Sequence, residues 1–172
     1  MISTLGMVLI MFAGTMFGFQ QAARYTDRTA QLRQLIHALQ RLETEIGYGQ
    51  TPLPEALERS AGHIPGPVPE LFRNAASRLV SENGLSFREC WEGTLEAGWG
   101  RTAMRQSEKS SLSRLGAALG ISDREDQLKH LRLAMLQIQT EEETAREEQA
   151  RYSKMWKSLG VLAAALVVIL IV

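Results

Sequence analysis

Hydrophobic positions along this chain follow three regimes. No charged residue appears from Ile2 to Phe19, none appears again from Leu159 to Val172, and between them apolar residues recur at spacings of three and four among charged ones. At ~1.5 Å of rise per residue the first run makes a helix of roughly 27 Å, close to the hydrocarbon thickness of a bilayer. The last run gives about 21 Å, and it extends back through Trp156 and Met155 if Lys154 and Lys157 lift their ammonium groups toward the headgroups. The pattern predicts an N-terminal transmembrane anchor over residues 1–23, a helical domain over 24–157 and a C-terminal transmembrane anchor over 158–172. A cleaved secretory signal is the alternative for the first run. It calls for a basic n-region and a shorter apolar core, and here no Lys or Arg precedes Arg24.

In the middle regime the period is helical throughout. Leu32, Leu35, Ile36, Leu39, Leu42 and Ile46 form one apolar stripe, with Asp27 or Thr29 placed to cap its start and Gly47 and Gly49 to end it. Thr51 reads as the N-cap and Pro52 as the first position of a short helix through Ala61. Gly62 to Pro69 reads as irregular, since proline at alternate positions removes backbone donors. A third helix is predicted from about Pro69 to Ser81, with Leu71, Phe72, Ala75, Ala76 and Leu79 inward and Asn83-Gly84 as its stop. Ser86-Phe-Arg-Glu89 is a capping box opening a fourth helix that carries Phe87, Cys90, Trp91 and Leu95 and ends at Gly98-Trp-Gly100.

The fifth helix, from about Thr102 to Leu119, buries Leu112, Leu115, Ala118 and Leu119 and turns Arg101, Arg105, Lys109 and Arg114 outward. Ser122-Asp-Arg-Glu125 is a second capping box, and no glycine or proline follows until after Leu159, so a sixth helix has no reason to stop. Leu128, Leu131, Met135, Ile138, Ala145 and Tyr152 give that helix a seam that Glu142 and Gln149 interrupt. No strand-like alternation appears. The fold class is all-α: a bundle of about six helices between two transmembrane helices.

Charge then sets orientation. Arg24, Arg28 and Arg33 follow the first apolar run, and Arg151, Lys154 and Lys157 precede the last, so the positive-inside bias places the middle section in the cytoplasm of a two-span membrane protein with bare outer ends. Nineteen Lys and Arg balance nineteen Asp and Glu, which argues against a nucleic-acid surface. The single cysteine, Cys90, excludes an internal disulfide and reads as a small buried apolar residue. Gly14 and Gly18 have the small-xxx-small spacing that lets a second membrane helix approach closely, either this chain's own last helix or another subunit's.

Candidate chemistry is sparse. His37, His63 and His130 stand outside any metal-ligand spacing, and neither an activated-serine turn nor a phosphate-binding loop occurs, so no catalytic residue, cofactor or metal is predicted. Asp123 and Glu125 could be imagined as catalytic carboxylates, but their place in a capping box accounts for them. Glu141, Glu142, Glu143, Glu147 and Glu148 read as a solvated helix face or, more sharply, as a docking surface for a basic partner.

Leu39-Gln-Arg-Leu-Glu-Thr-Glu-Ile46, Tyr48-Gly-Gln-Thr-Pro-Leu53, Leu119-Gly, Asp123 leading to Gln127 and His130, and finally Lys154-Met155 and Lys157-Ser-Leu-Gly160 occur in this order. In this arrangement the chain resembles the stage III sporulation protein AB family of endospore-forming bacteria over nearly its whole length. The resemblance implies a helical fold similar to the cytoplasmic domain of the inner-membrane platform protein of type II secretion and type IV pilus machines. It also implies a place in the mother-cell membrane around the forespore, as a non-enzymatic scaffold of a secretion-like transenvelope complex. Its partners would be a separate ATPase subunit and membrane subunits. Pro54 and the Pro65, Pro67, Pro69 series depart from the family pattern and put the second-to-third helix connection in question.

Glu43, Glu45, Tyr48, Thr51 and Leu53 are the candidate partner-binding residues, because polar and aromatic groups at a helix end can present a rigid surface. Capping, turn formation or packing is the alternative role for each. The competing function is a membrane-anchored homodimeric signalling module working through the long last helix, which the interrupted seam disfavours.

Overall fold

The computed structural model describes the backbone of residues 2–49, 51–82 and 84–171, and the side chains of residues 23–49, 51–82, 84–152 and Met155. Six α-helices follow in order: α1 (Ile2–Tyr48), α2 (Leu53–Ala61), α3 (Pro67–Ser81), α4 (Phe87–Gly98), α5 (Gln106–Leu119) and α6 (Arg124–Ile171), with a 3-10 turn at Trp99–Arg101 between α4 and α5. No strand occurs among the described residues. None of their helices is long and apolar enough to cross a membrane. The two transmembrane anchors and the Gly14–Gly18 spacing lie outside the residues whose side chains are described.

Two compact units make up the chain: Ala30–Glu143, and Met1–Thr29 together with Thr144–Val172. In the first, the α1 stripe is the core. Leu32, Leu35, Ile36, Leu39, Leu42 and Ile46 are all buried, as are Leu57 of α2, Leu71 and Phe72 of α3, Cys90, Trp91 and Leu95 of α4, Leu112 and Leu115 of α5, and Leu131 and Ile138 of α6. Trp91 organises the α4–α5 contact. Its ring lies edge-on to Phe72 (5.5 Å between centroids) and stacked on Phe87 (5.8 Å), and its indole N–H donates to the Leu112 carbonyl at 2.8 Å. A Cβ at Gly116 would overlap that indole, so only glycine lets the two helices close. At Gly98 an added Cβ would come within 2.5 Å of Leu71 Cδ2, so glycine also lets α3 and α4 approach without moving that leucine.

Several expectations about helix ends change. α1 does not start at Asp27 or Thr29: the backbone is helical on both sides of them, and the buried Thr29 hydroxyl donates to the Tyr25 carbonyl one turn back. α3 begins at Pro67, so only residues 62–66 are irregular. Pro67 and Pro69 fall in a first turn, where helical N–H groups lack partners in any case. α5 begins at Gln106 rather than Thr102, with Glu108 accepting the Arg105 backbone N–H at 2.6 Å, and Ala118 is half-buried. At the start of α6 the capping oxygen is that of Asp123, which accepts the Asp126 N–H at 2.9 Å, while the Ser122 hydroxyl donates to the Ala118 carbonyl. The Ser86–Glu89 box forms as read, with both reciprocal bonds made.

The α6 seam also differs from the reading of a solvated acidic run. Glu142 turns inward and accepts from Arg33 of α1 at 2.7 Å. In the second unit Arg28, its side chain 3% exposed, pairs with Glu148 at 3.2 Å, Gln149 donates to the Thr26 hydroxyl at 3.3 Å, and Tyr25 stacks on Tyr152 at 4.5 Å. Glu143 and Glu147 stay exposed.

Candidate functional site

Within Ala30–Glu143, the last turn of α1 meets the start of α2 on one side and of α6 on the other. A helix leaves its final carbonyls without intrahelical partners. Here Arg124 supplies them: its Nε donates to the Ile46 carbonyl at 2.9 Å, and a terminal guanidinium nitrogen to that of Gly47. A cation against the negative end of the helix dipole strengthens the same contact. Gly49 N–H closes the turn on the Glu45 carbonyl at 3.0 Å.

Glu43 and Glu45 leave α1 in different directions. Glu43 accepts from Arg132 of α6 at 2.6 Å; Glu45 accepts from the Thr51 hydroxyl at 2.9 Å and from Arg59 of α2 at 3.4 Å. Thr51 is therefore tied to α1 and does not cap α2, whose N-cap is Pro52 with no side-chain bond. A carboxylate reaching its hydroxyl displaces the local capping geometry the sequence suggested. Leu53 opens α2 and is half-buried.

Of the five candidate residues, Glu45 and Thr51 touch, Glu43 faces the other neighbour, and Tyr48 stands 89% exposed. The polar three hold the helix end in place; the aromatic ring is what they display. Ile121, just before α6, is 88% exposed. At the start of α6 a surface pocket of about 380 Å³ is lined by Asp123, Glu125, Asp126, Leu128, Lys129 and Arg132. Arg124 and Ile121 were not singled out by sequence reading. Ile121 carried a readable signal, a large apolar residue between a helix stop and a helix cap; Arg124 carried none, because its acceptors are 77 and 78 positions away.

Elsewhere the ionisable groups serve the fold. Cys90 is buried, and loss of hydration pushes its thiol pKa up, which keeps it in the unreactive form. The Ser86 backbone N–H, and then its hydroxyl, hold the Glu89 carboxyl below its ordinary value. Among the described residues no group of three or more His, Cys, Asp or Glu is placed to hold a metal ion.

The family model for stage III sporulation protein AB matches residues 3–172. Stage III sporulation protein AB of Bacillus subtilis (strain 168) is 41% identical over 171 residues, spanning 99% of this chain and 99% of its own. A solved structure of stage III sporulation protein AB superposes with a TM-score of 0.68 at 37% identity, covering 73% of this chain and 98% of the solved one.

Proposed function

Since the chain belongs to the stage III sporulation protein AB family, a sporulation family, we propose that it is a non-enzymatic scaffold whose helical domain couples a cytoplasmic ATPase subunit to membrane subunits of a sporulation transenvelope complex. Two uncharged terminal runs anchor it in the mother-cell membrane around the forespore, and the basic residues inside them keep the helical domain in the cytoplasm. Gly14 and Gly18 offer the close helix approach that a membrane partner would use.

One observation carries the reading. Tyr48 stands almost bare at the end of α1 that Arg124, Glu43 and Glu45 fix from two sides, and Ile121 stands almost bare in the turn that leads into α6 and Arg124. Large apolar side chains held rigidly in water suit partner recognition, because little conformational freedom is lost when they are covered. The test is photo-crosslinking from position 48 or 121 of the full chain in sporulating cells, with identification of the products. Products containing a nucleotide-binding-loop ATPase, lost from position 48 in Ile121→Ser and from position 121 in Tyr48→Ser, support the proposal. Products confined to the chain itself overturn it in favour of a homodimeric module.

A further inference from the structure

α6 shows a second exposed surface within Ala30–Glu143, which starts at the acidic first turns that also line the surface pocket and runs on along the helix. Its inner side, Leu131, Ala134, Met135 and Ile138, is buried, while on its outer side Leu133 is 50% and Leu136 60% exposed. The polar neighbours that could fold over these leucines are drawn aside: Arg132 is bonded to Glu43 of α1 at 2.6 Å, and Gln137 accepts from Arg114 of α5 at 3.2 Å. Two leucines three positions apart therefore form a bare apolar ridge along the helix.

Charge frames the ridge. Asp126 lies two turns before Leu133 and Glu143 two turns after Leu136, each about 10 Å away along the axis, and Glu125 adjoins the first of them. All three carboxylates are exposed, and among the described residues no cation pairs with them. Of the Lys and Arg between them, Lys129 and Arg132 are exposed, and Arg132 is paired with Glu43. The surface thus has an apolar centre with acidic ends, and the spacing is heptad-like: 126, 133 and 140 on one row, 129, 136 and 143 on the other.

We propose that this ridge docks a helix of another protein that carries apolar residues three or four apart with Lys or Arg about two turns to either side. Charge complementarity selects this occupant over a second copy of the chain. Parallel self-pairing about the leucines sets Asp126 against Asp126 and Glu143 against Glu143; antiparallel self-pairing sets Asp126 against Glu143. Both bring carboxylates together. An anionic lipid surface is repelled by the same groups.

The experiment uses the full chain in nanodiscs of zwitterionic lipid and two helical probes with the same leucine stripe, one flanked by lysines and one by glutamates. Anisotropy, corrected against empty discs, reads binding. The Leu–Lys peptide binds and the Leu–Glu peptide does not. Leu133→Ser with Leu136→Ser weakens the Leu–Lys peptide by at least roughly tenfold, the loss expected from two uncovered leucines. Asp126→Lys with Glu143→Lys reverses the preference between peptides. All four substitutions are on the surface, and circular dichroism verifies that the helical content is kept. Absent or equal binding of the two peptides overturns the proposal, as does binding indifferent to the substitutions. A wild-type dimer in sedimentation that the leucine substitutions dissociate also overturns it and gives the ridge to a second copy.

Discussion

Where α4 meets α5, a glycine lets the largest side chain of the core lie flat against the next helix. Where α1 meets α6, an inward position is filled by a carboxylate that an arginine holds. At the first contact the Trp91 indole fills the space above Gly116 and gives its one N–H to Leu112, so both volume and polarity are satisfied by one fixed arrangement. At the second, Glu142 is buried but Arg33 keeps its side chain 54% exposed, so the charge pair stays open to water. Shape specifies the first contact and tolerates no added atoms. Charge registers the second, and solvent softens the consequences of changing it.

Gly116→Ala tests the first half of that contrast and has the largest expected effect. The new Cβ displaces the indole or spreads the helices, costing about 3 kcal/mol, the upper range for overpacking. Thermal unfolding of the domain should fall by roughly 10 °C. In a Trp91→Leu background the same substitution should cost much less, and a double-mutant cycle reads the coupling directly. Additive effects of the two changes would mean that the glycine is needed for some reason other than the indole.

Glu142 tests the other half. Glu142→Lys sets two cations together and should cost about 1–2 kcal/mol, less than a fully buried pair would lose because Arg33 reaches water. Glu142→Leu continues the apolar seam and should fall within about 1 kcal/mol of wild type, since a hydrophobic replacement of an ion pair is often neutral. Denaturant midpoints of the two variants give the comparison. If the leucine variant were the worse of the two, the pair would be a specific structural element rather than a register mark.

A helix end gives an intermediate case. Ser86→Ala removes the hydroxyl that caps α4 and should cost about 1 kcal/mol. Glu89, the other half of the box, has its carboxyl held below the ordinary value by Ser86, so the folded state binds the proton less readily than the unfolded state. Its stabilising share is present above the unfolded carboxyl range, near pH 4, and fades as pH falls through the folded value. Glu89→Gln should flatten the acid limb of the stability curve and leave the alkaline limb unchanged.

The same contrast governs what could be read in advance. The α1 stripe and the Ser86–Glu89 box were legible because each is a local pattern of period or spacing, settled within a few residues. Thr51 and Glu142 were misread because distant partners decide them: Glu45 captures the Thr51 hydroxyl, and Arg33, 109 positions from Glu142, turns an apparent break in the seam into a contact. The third helix was read as starting at about Pro69, with Pro67 left in an irregular stretch, yet first-turn positions need no donor and the helix begins at Pro67. At the candidate site Tyr48 was legible as a displayed side chain. The Arg124 cap that holds its helix end was not, because it exists only once α1 and α6 are together.

The smallest effect expected is at Arg88, whose guanidinium pairs with Glu92 one turn on at 3.1 Å with both side chains well exposed. Arg88→Ala should cost about 0.3–0.5 kcal/mol, typical of an i,i+4 pair on a helix surface, and 1 M salt should erase the difference. The salt response is what separates it from Arg33→Ala, which takes the 2.7 Å guanidinium partner from the mostly buried Glu142 carboxylate and should remain measurable in 1 M salt. Unfolding both variants at low and high salt therefore distinguishes a pair that only decorates a helix from one that sets the register of two. Equal salt sensitivity would place Arg33 and Arg88 in one class and remove the distinction drawn for the α1–α6 contact.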